Sequence, residues 1–184
     1  MPLFIPILLG TARDNRLSAH VARFMFDEAR KDGRFETEIA DISELLTHQK
    51  TIRPEDIKEK TRWGSIMGRA DGLIVVSPEY NHSFPGELKL LLDELYKEYN
   101  QKPVAICGVS DGPVGGARMV QSLRLVTIAL QMTPIRNVIY FTNVDKLFDQ
   151  GGVITDASYM PKARALFDQI VWYAEALKVA REKR

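Results

Sequence analysis

Residues 72–89 have the sequence GLIVVSPEYNHSFPGELK. The apolar run 72–76 has the length and composition of a buried β-strand. The leucines in the segment 88–95 repeat with the spacing of one helical face, so a helix follows. Residues 77–86 therefore form a loop between the carboxyl end of a strand and the start of a helix. In open parallel sheets, ligands bind at loops in that position.

The loop itself carries groups that can hold a flat ligand with polar edges. Pro78 and Pro85 restrict its backbone, and Pro85 is placed to begin the next helix. Between the prolines, Glu79, Tyr80 and Asn81 supply a carboxylate, a phenol and an amide. An aromatic face together with hydrogen bonds at the edge suits a planar ligand. The loop is thus a candidate binding segment.

Four further runs predict the other strands of a sheet: residues 3–9, 35–42, 103–109 and 135–141. Helical patterns are found at residues 17–32, 54–69, 88–95 and 115–131, and in a last segment that begins near position 158. Residues 43–53 are predicted as a loop or short turn, and residues 148–156 as a turn-rich connection. Strands that alternate with helices predict an α/β protein with a parallel sheet covered on both faces. Five strands in so short a chain favour the flavodoxin-like three-layer sandwich, with strand order 2-1-3-4-5.

Composition limits the class of protein. The chain has 184 residues, 45% of them hydrophobic and 27% charged, which suits one globular domain over residues 1–184. The net charge of +1 gives no general attraction to nucleic acid or to an anionic membrane. One cysteine excludes an internal disulfide, no apolar run reaches membrane-spanning length, and the N-terminus lacks a signal-peptide pattern. We therefore expect a cytoplasmic protein that neither inserts into membranes nor binds nucleic acid.

The loop after the first strand, residues 10–18, predicts an anion site. The loop offers Thr11, Arg13, Asn15, Arg16 and Ser18 at the start of a helix. Free backbone N–H groups and the helix dipole favour an anion there, and hydroxyl and guanidinium donors strengthen its binding. The alternative is ordinary capping with solvated arginines, and these residues alone do not decide between the two. The loop lacks the Gly-x-x-x-x-Gly-Lys-Ser/Thr and Gly-x-Gly-x-x-Gly patterns, which argues against a nucleoside-triphosphate P-loop and a standard dinucleotide fold.

The loop after the fourth strand, residues 110–118, is rich in glycine. Gly112 and Gly115 permit close approach of the backbone to a ligand, and Ser110 adds a hydroxyl. The alternative is a tight turn before a helix. In the predicted strand order this loop lies beside the loops after the first and third strands, so all three are expected at one edge of the sheet.

Three motifs follow one another along the chain. They are Gly10-Thr11-x-Arg13-x4-Ser18, then Pro78-Glu79-Tyr80-Asn81-x-Ser83-x-Pro85-Gly86-x-Leu88-Lys89, then Ser110-x-Gly112-x2-Gly115-Gly116-x-Arg118. Together they resemble the motifs of the NAD(P)H-dependent FMN reductases of the flavodoxin-like superfamily. The middle motif is the specific one, and the outer two support it. The chain departs from many members in having threonine rather than serine at position 11, and either residue supplies a hydroxyl.

The resemblance implies a non-covalent FMN cofactor, with NAD(P)H as co-substrate. It implies that the cofactor is bound by Thr11, Arg13, Arg16 and Ser18 at the phosphate, by Pro78, Glu79, Tyr80 and Asn81 at the isoalloxazine and ribityl parts, and by Ser110, Gly112 and Gly115 near the other edge of the ring. Gly115 fits a role in the turn alone equally well. Hydride would pass from nicotinamide to flavin N5, and the electrons then to a small-molecule acceptor such as a flavin, quinone, azo compound or metal oxyanion. No side chain is implied as a catalytic acid or base.

The residues leave several points open. The physiological acceptor and the choice between NADH and NADPH are not determined. The alternative to an enzyme is a non-catalytic FMN carrier or electron shuttle. A long acidic docking surface would favour a shuttle, and the near-neutral charge gives it no support.

The segment 115–131 has more apolar positions than one helical face can bury, and Leu90 falls outside the inward stripe of its own helix. Such a surface predicts a homodimer, in keeping with the family, with dimer or tetramer left open.

Cys107 is expected to be an inert buried thiol and His82 a solvent-facing loop residue. No histidine has metal-ligand spacing with acids or cysteines, so no metal site is predicted.

Overall fold

The computed structural model describes residues 2–46, 50 and 61–183. Its strands are β1 (Leu3–Phe4), β2 (Ile7–Leu9), β3 (Phe35–Glu36), β4 (Ile39–Asp41), β5 (Leu73–Pro78), β6 (Pro103–Val109) and β7 (Thr133–Phe141). All strand pairs are parallel. Five strands form one sheet in the order β4-β2-β5-β6-β7, and β1 pairs separately with β3.

Seven helices accompany these strands in the described part of the chain. They are α1 (Ser18–Asp32), α2 (Ile42–Leu45), α3 (Arg62–Arg69), α4 (Gly86–Leu92), α5 (Ala117–Ala129), α6 (Val144–Leu147) and α7 (Tyr159–Glu182), with a turn of 3-10 helix at Lys97–Tyr99. Within the same residues, no helix is long and apolar enough to cross a membrane.

Helices cover both faces of the sheet. One apolar cluster joins α1 and α7 to one face, and a second joins α3, α4 and α5 to the other. Strands β5 and β6 are buried almost throughout for this reason, as their continuous apolar runs predicted. Cys107 lies inside β6, where burial raises the pKa of its thiol well above the ordinary range. The α/β class and the five-stranded parallel sheet are therefore confirmed.

The predicted order 2-1-3-4-5 is not confirmed as stated, because it assumed five uninterrupted strands. The first two predicted strands are each divided, the first into β1 and β2 and the second into β3 and β4. Pro6 lies at the break in the first strand and has no N–H to donate to the ladder. The register is the same on both sides of the break, since Leu3 pairs with Phe35 and Ile7 with Ile39.

The helix predicted over residues 54–69 is correct at its carboxyl end and wrong in its extent. Helix α3 ends at Arg69, as expected, but Thr61 is extended and caps it. The Thr61 hydroxyl oxygen accepts a hydrogen bond from the N–H of Gly64 at 3.0 Å, which satisfies one free donor of the first turn. The predicted opening at Pro54 lies outside the described residues.

The segment predicted as a loop or short turn over residues 43–53 contains most of the single-turn helix α2. Asp41 caps α2 by accepting a hydrogen bond from the N–H of Ser43 at 3.0 Å. Residues 47–49 and 51–53 lie outside the described residues. Helix α1 ends where predicted, at Gly33, whose φ of 73° makes it a left-handed C-cap.

Helix α5 is apolar on more than one side, as predicted. It buries Met119, Val120 and Leu123 against the sheet. It also presents Leu125 and Ile128 to solvent, with 72% and 57% of their surfaces exposed. Large apolar side chains exposed in this way mark a surface that a partner can cover.

Candidate active site

A cavity of about 410 Å³ lies at the carboxyl edge of the sheet, where the loops after β2, β5 and β6 meet. These loops carry the three sequence motifs. The lining residues are Arg13, Asp14, Asn15, Arg16, Leu17 and Ser18, then Pro78, Glu79 and Tyr80, then Val109, Ser110 and Asp111, and finally Val144. Parallel strands all end at the same edge of the sheet, and this brings distant loops together.

The start of α1 presents donors that the protein itself does not use. Ser18 is buried, and its Oγ has no hydrogen-bond partner among the described residues. Arg13 is exposed and forms no ion pair within that part of the chain. Its guanidinium carbon lies 5.9 Å from the centre of the Tyr80 ring. A buried hydroxyl without a partner is costly, so the arrangement suits an acceptor that enters from outside.

Arg16 is engaged differently from Arg13. Its guanidinium forms an ion pair with Asp41, and only 16% of its side chain is exposed. Since Asp41 caps α2, this contact ties the loop after β2 to the edge strand β4. The charge of Arg16 is thereby partly neutralised, and Arg13 is the more available cation.

Thr11 is fully buried and connects the loops after β2 and β5. Its Oγ1 donates to Glu87 Oε1 at 2.9 Å and accepts from the N–H of Arg13 at 3.4 Å. The phenolic oxygen of Tyr80 lies 3.3 Å from the same hydroxyl. The N–H of Ala12 also donates to Glu87 Oε1, at 3.1 Å. These bonds hold Tyr80 in a defined position relative to the anion-binding loop.

The segment Tyr80–Ser83 is a tight turn with two left-handed residues at its centre. The N–H of Tyr80 donates to the carbonyl of Ser83 at 2.8 Å, and the N–H of Ser83 donates back at 2.9 Å. Asn81 and His82 have φ values of 49° and 68°. Two consecutive positive φ values are typical of a type I′ turn, in which glycine is favoured at the second position. Both side chains are exposed, as expected for His82.

Glu79 directs its carboxylate to α5. Its Oε2 accepts from the N–H groups of Arg118 and Met119 at 3.1 and 3.3 Å, and its Oε1 from the Arg118 guanidinium at 3.2 Å. The N-cap residue of α5 is Gly116, which has no side chain, so Glu79 supplies the missing cap from another loop. Burial favours the neutral acid, but these hydrogen bonds outweigh it and lower the pKa of Glu79.

The loop after β6 is held by its own backbone and by glycine packing. Ser110 Oγ donates to the carbonyl of Gly112 at 3.0 Å, and the N–H of Asn143 donates to the same carbonyl at 3.2 Å. At Gly115 the φ is 62°, and a Cβ atom would lie 2.6 Å from Cβ of Tyr140. A larger residue would collide with β7, so the packing of the turn requires glycine at this position.

The structure brings together most of the predicted site residues. Those that line the cavity are Arg13, Arg16, Ser18, Pro78, Glu79, Tyr80 and Ser110. Those that do not are Thr11, Asn81, Gly112 and Gly115. Asn15, predicted as part of the anion-binding loop, also lines the cavity, whereas sequence reasoning missed Asp14, Leu17, Val109, Asp111 and Val144. The first four lie within or beside motif loops, where neighbours of a motif residue could have been included, whereas Val144 opens α6 and has no such signal.

The model of the NADPH-dependent FMN reductase family matches residues 5–146 of the chain. The chain belongs to this family. The match includes all three motif loops and extends into α6. The predicted enzyme class, an NAD(P)H-dependent reductase that uses FMN, is confirmed at the level of the family.

Relatives of this reductase share its class and differ in their named acceptors. An NAD(P)H-dependent FMN reductase of Schizosaccharomyces pombe is 32% identical over 136 residues, which cover 70% of this chain and 67% of that protein. A quinone reductase of Pseudomonas putida is 27% identical over 172 residues, covering 90% and 91%. An FMN-dependent NADPH-azoreductase of Staphylococcus aureus is 29% identical over 180 residues, covering 90% and 92%.

Solved structures resemble the reductase in fold. FerB of Paracoccus denitrificans, a flavoenzyme NAD(P)H:(acceptor) oxidoreductase, has a TM-score of 0.78 at 21% identity over 95% of this chain and 98% of that one. A flavodoxin variant of Pseudomonas aeruginosa has a TM-score of 0.52 at 14% identity, over 96% and 99%. Likeness at these identities concerns the fold alone, and it confirms the flavodoxin-like α/β architecture.

Proposed function

We propose that this reductase holds FMN non-covalently in the 410 Å³ cavity and reduces a small organic acceptor with electrons from NAD(P)H. The flavin, when bound, supplies the redox chemistry by taking up hydride and passing electrons on. The residues of the chain bind and orient the reactants. The observation that carries the proposal is the meeting, in one cavity, of the unpartnered Ser18 hydroxyl, the exposed Arg13 and the Tyr80 ring.

The phosphate of FMN is assigned to the loop before α1. Ser18 Oγ can donate to a phosphate oxygen and would thereby gain the partner that it lacks. Arg13 supplies a charge that no described acid neutralises, and charge-assisted hydrogen bonds are the strong ones. Thr11 and Arg16 take part less directly, because Glu87 and Asp41 already engage them.

The ring of FMN is assigned to the loop after β5. Tyr80 offers an aromatic face whose position Thr11 secures, and Pro78 stiffens the backbone beside it. Asn81 would contribute its amide, since its carboxamide both donates and accepts. Glu79 would act through its backbone, because its carboxylate is bound to α5.

The loop after β6 would close the site at the other edge of the ring. Ser110 lines the cavity, and Gly112 is joined to it by a hydrogen bond. Gly115 would serve the site indirectly, by permitting the turn that places Ser110 and Gly112. None of these contacts requires a side chain that moves a proton, so no catalytic acid or base is assigned.

We propose that the acceptor is a small planar compound, with a quinone as the first candidate. Relatives are named as a quinone reductase and an azoreductase, and both kinds of acceptor are flat and conjugated. Such a molecule can stack against a planar cofactor on the side of the cavity where Tyr80 lies. A flavin is planar as well, whereas a metal oxyanion is not and fits the proposal least of the expected acceptors.

We also propose a homodimer that covers the apolar face of α5. A groove of about 740 Å³ runs between α5 and the 3-10 turn and is lined in part by Tyr96, of which 49% is exposed. Leu125 and Ile128 extend the apolar surface along the same helix. Light scattering coupled to gel filtration gives the mass, and a monomer would contradict the proposal.

The single buried Cys107 fits a reducing compartment, so we propose that the protein is located in the cytoplasm.

The decisive test of the function is an absorbance spectrum of the purified protein with FMN, followed by NADH or NADPH without oxygen. We expect flavin absorbance that bleaches on addition of one of the nucleotides and returns when a benzoquinone is added. Bound flavin that stays oxidised would favour a carrier or electron shuttle. Failure to bind FMN would remove the proposed site altogether.

A further inference from the structure

Glu87 lies in the first turn of α4 and turns its carboxylate towards the loop after β2. Its Oε1 accepts from Thr11 Oγ1 at 2.9 Å and from the N–H of Ala12 at 3.1 Å. A carboxylate accepts hydrogen bonds and does not donate them, so the single hydroxyl proton of Thr11 is committed to Glu87. Two donors at the beginning of the anion-binding loop are therefore taken by a negative charge of the protein itself.

This charge contacts the loop that carries the groups assigned to the phosphate. Thr11 Oγ1 also accepts from the N–H of Arg13, at 3.4 Å, so Glu87 and the backbone of Arg13 meet at one hydroxyl. Ser18 Oγ, in contrast, is buried and has no partner among the described residues. A phosphate bound by Ser18 and Arg13 would lie on the loop that Glu87 contacts through Thr11 and Ala12, and like charges repel each other.

We propose that Glu87 sets the affinity of the site for phosphate, and that it does so by lowering that affinity. The inference rests on the proposed function, because it requires the phosphate of FMN in this loop. Thr11 can donate to a phosphate only when its hydroxyl leaves Glu87, and the carboxylate repels the incoming anion. The site therefore discriminates less between FMN and riboflavin, which lacks the phosphate, than it would without the charge of Glu87.

A purely structural role of Glu87 has a different signature. An acid in the first turn of a helix interacts favourably with the helix dipole, and the two hydrogen bonds join α4 to the neighbouring loop. Loss of such support would change the binding of FMN and riboflavin alike. A charge effect at the phosphate changes the binding of FMN alone. The ratio of the two dissociation constants separates the two roles.

The test is Glu87→Gln, which removes the charge and keeps an amide oxygen that can accept both hydrogen bonds. Dissociation constants for FMN and for riboflavin are measured by quenching of flavin fluorescence. The control is Glu175→Gln, an exposed acid on α7. We expect Glu87→Gln to bind FMN about tenfold more tightly, with riboflavin within about twofold of wild type. The control is expected to bind both flavins as wild type does.

The second variant is Glu87→Ala, which removes the carboxylate altogether and retains high helix propensity. It is expected to shift the ratio of FMN to riboflavin affinity in the same direction. It replaces Glu87→Gln in the test if that variant does not fold. Unchanged or weaker FMN binding in both variants, or equal tightening of both flavins, would overturn the role of Glu87 and leave the proposed function standing. A wild-type protein that binds neither flavin would overturn both.

Discussion

The parallel strands begin at the amino edge of the sheet and end at its carboxyl edge, and the charged groups at these two edges are paired to different extents. Before β5, Asp71 is buried and fully engaged. It accepts hydrogen bonds from the N–H of Phe4 at 3.1 Å, from Lys178 Nζ at 2.9 Å and from the Arg181 guanidinium at 3.1 Å. The start of the sheet is thereby joined to the last helix through a cluster that needs nothing from outside.

At the carboxyl edge two groups of the loop after β2 are left without a partner in the described part of the chain. Ser18 Oγ is buried without a described partner, and Arg13 has no ion pair among the described residues. Asn81 and His82 both adopt positive φ. Gln101 and Gln131 at the amino edge also have positive φ, so the difference between the two edges lies in the pairing of charged and polar groups and not in the backbone. The comparison teaches that Asp71 is matched within the protein, whereas Ser18 and Arg13 remain available to a ligand.

The largest effect on stability is expected from Asp71→Ala at the amino edge. The change leaves the N–H of Phe4 without its acceptor and brings Lys178 and Arg181 together without a counter-charge. We expect the free energy of unfolding to fall by about 3 kcal/mol, as when one partner of a buried ion pair is removed. Urea unfolding measures this loss of free energy, and Glu175→Ala, a change of an exposed acid, is the control. A loss no larger than that of the control would show that the cluster does not stabilise the fold.

The next largest effect is expected from Arg13→Ala at the carboxyl edge, where the change affects the binding of FMN. Loss of a charge-assisted contact to phosphate should weaken FMN binding about tenfold to a hundredfold, with little change in thermal stability because Arg13 is exposed. Arg23→Ala removes an equally charged residue from α1 and serves as control. Titration with FMN and a thermal melt are the measurements. If Arg13→Ala lost stability and kept its affinity, the contrast between the two edges would be wrong.

A smaller effect is expected from Glu79→Ala, which removes the cap of α5. At neutral pH we expect a loss of about 1 kcal/mol, typical of an N-cap. The pKa of Glu79 is lower in the folded than in the unfolded protein. Its contribution is therefore present above the unfolded pKa and is lost as the pH falls through the folded pKa.

Urea unfolding of wild type and Glu79→Ala at a series of pH values checks this prediction. The difference in unfolding free energy should be constant near neutrality and should shrink below about pH 4. A difference that does not depend on pH would mean that the uncharged acid caps α5 as well as the carboxylate does.

The smallest effect is expected from His82→Gly. Glycine adopts the φ of 68° without steric cost, and Asn-Gly is the favoured pair in a type I′ turn. We expect the variant to be more stable by about 0.5 kcal/mol, after allowance for the greater freedom of glycine in the unfolded chain. Asn81→Gly should gain less, since asparagine tolerates a left-handed backbone better than histidine does. A melt that shows destabilisation by His82→Gly would indicate a stabilising contact of the imidazole.

Much of the fold was predictable because its signals are local. The apolar run before Ser77, the leucine spacing in α4 and Gly33 after α1 each act within a few residues. Errors occurred where local signals compete. Thr61 ends the helical pattern with a cap of its own, and Pro6 divides a strand whose apolar composition is continuous.

The candidate site was predictable in part of its membership and not in its internal contacts. Motif spacing was sufficient to select Arg13, Ser18 and Tyr80, which do line one cavity. It assigned Glu79 to the ligand, whereas the carboxylate of that residue caps a helix 39 residues further along the chain. It also assigned no role to Glu87, because its partner Thr11 lies 76 residues away in sequence.

Periodicity, turn chemistry and motif spacing depend on neighbours along the chain, and they were enough for the α/β class, the three loops and the family of this reductase. The partners of its polar groups depend on which segments the sheet brings together. Asp71 and Lys178 are 107 positions apart, and no local pattern relates them. Only the packed structure could show that Asp71 is paired at one edge of the sheet and that Ser18 and Arg13 stay available at the other. Burial and hydrogen bonding are decided by contacts between distant parts of the chain.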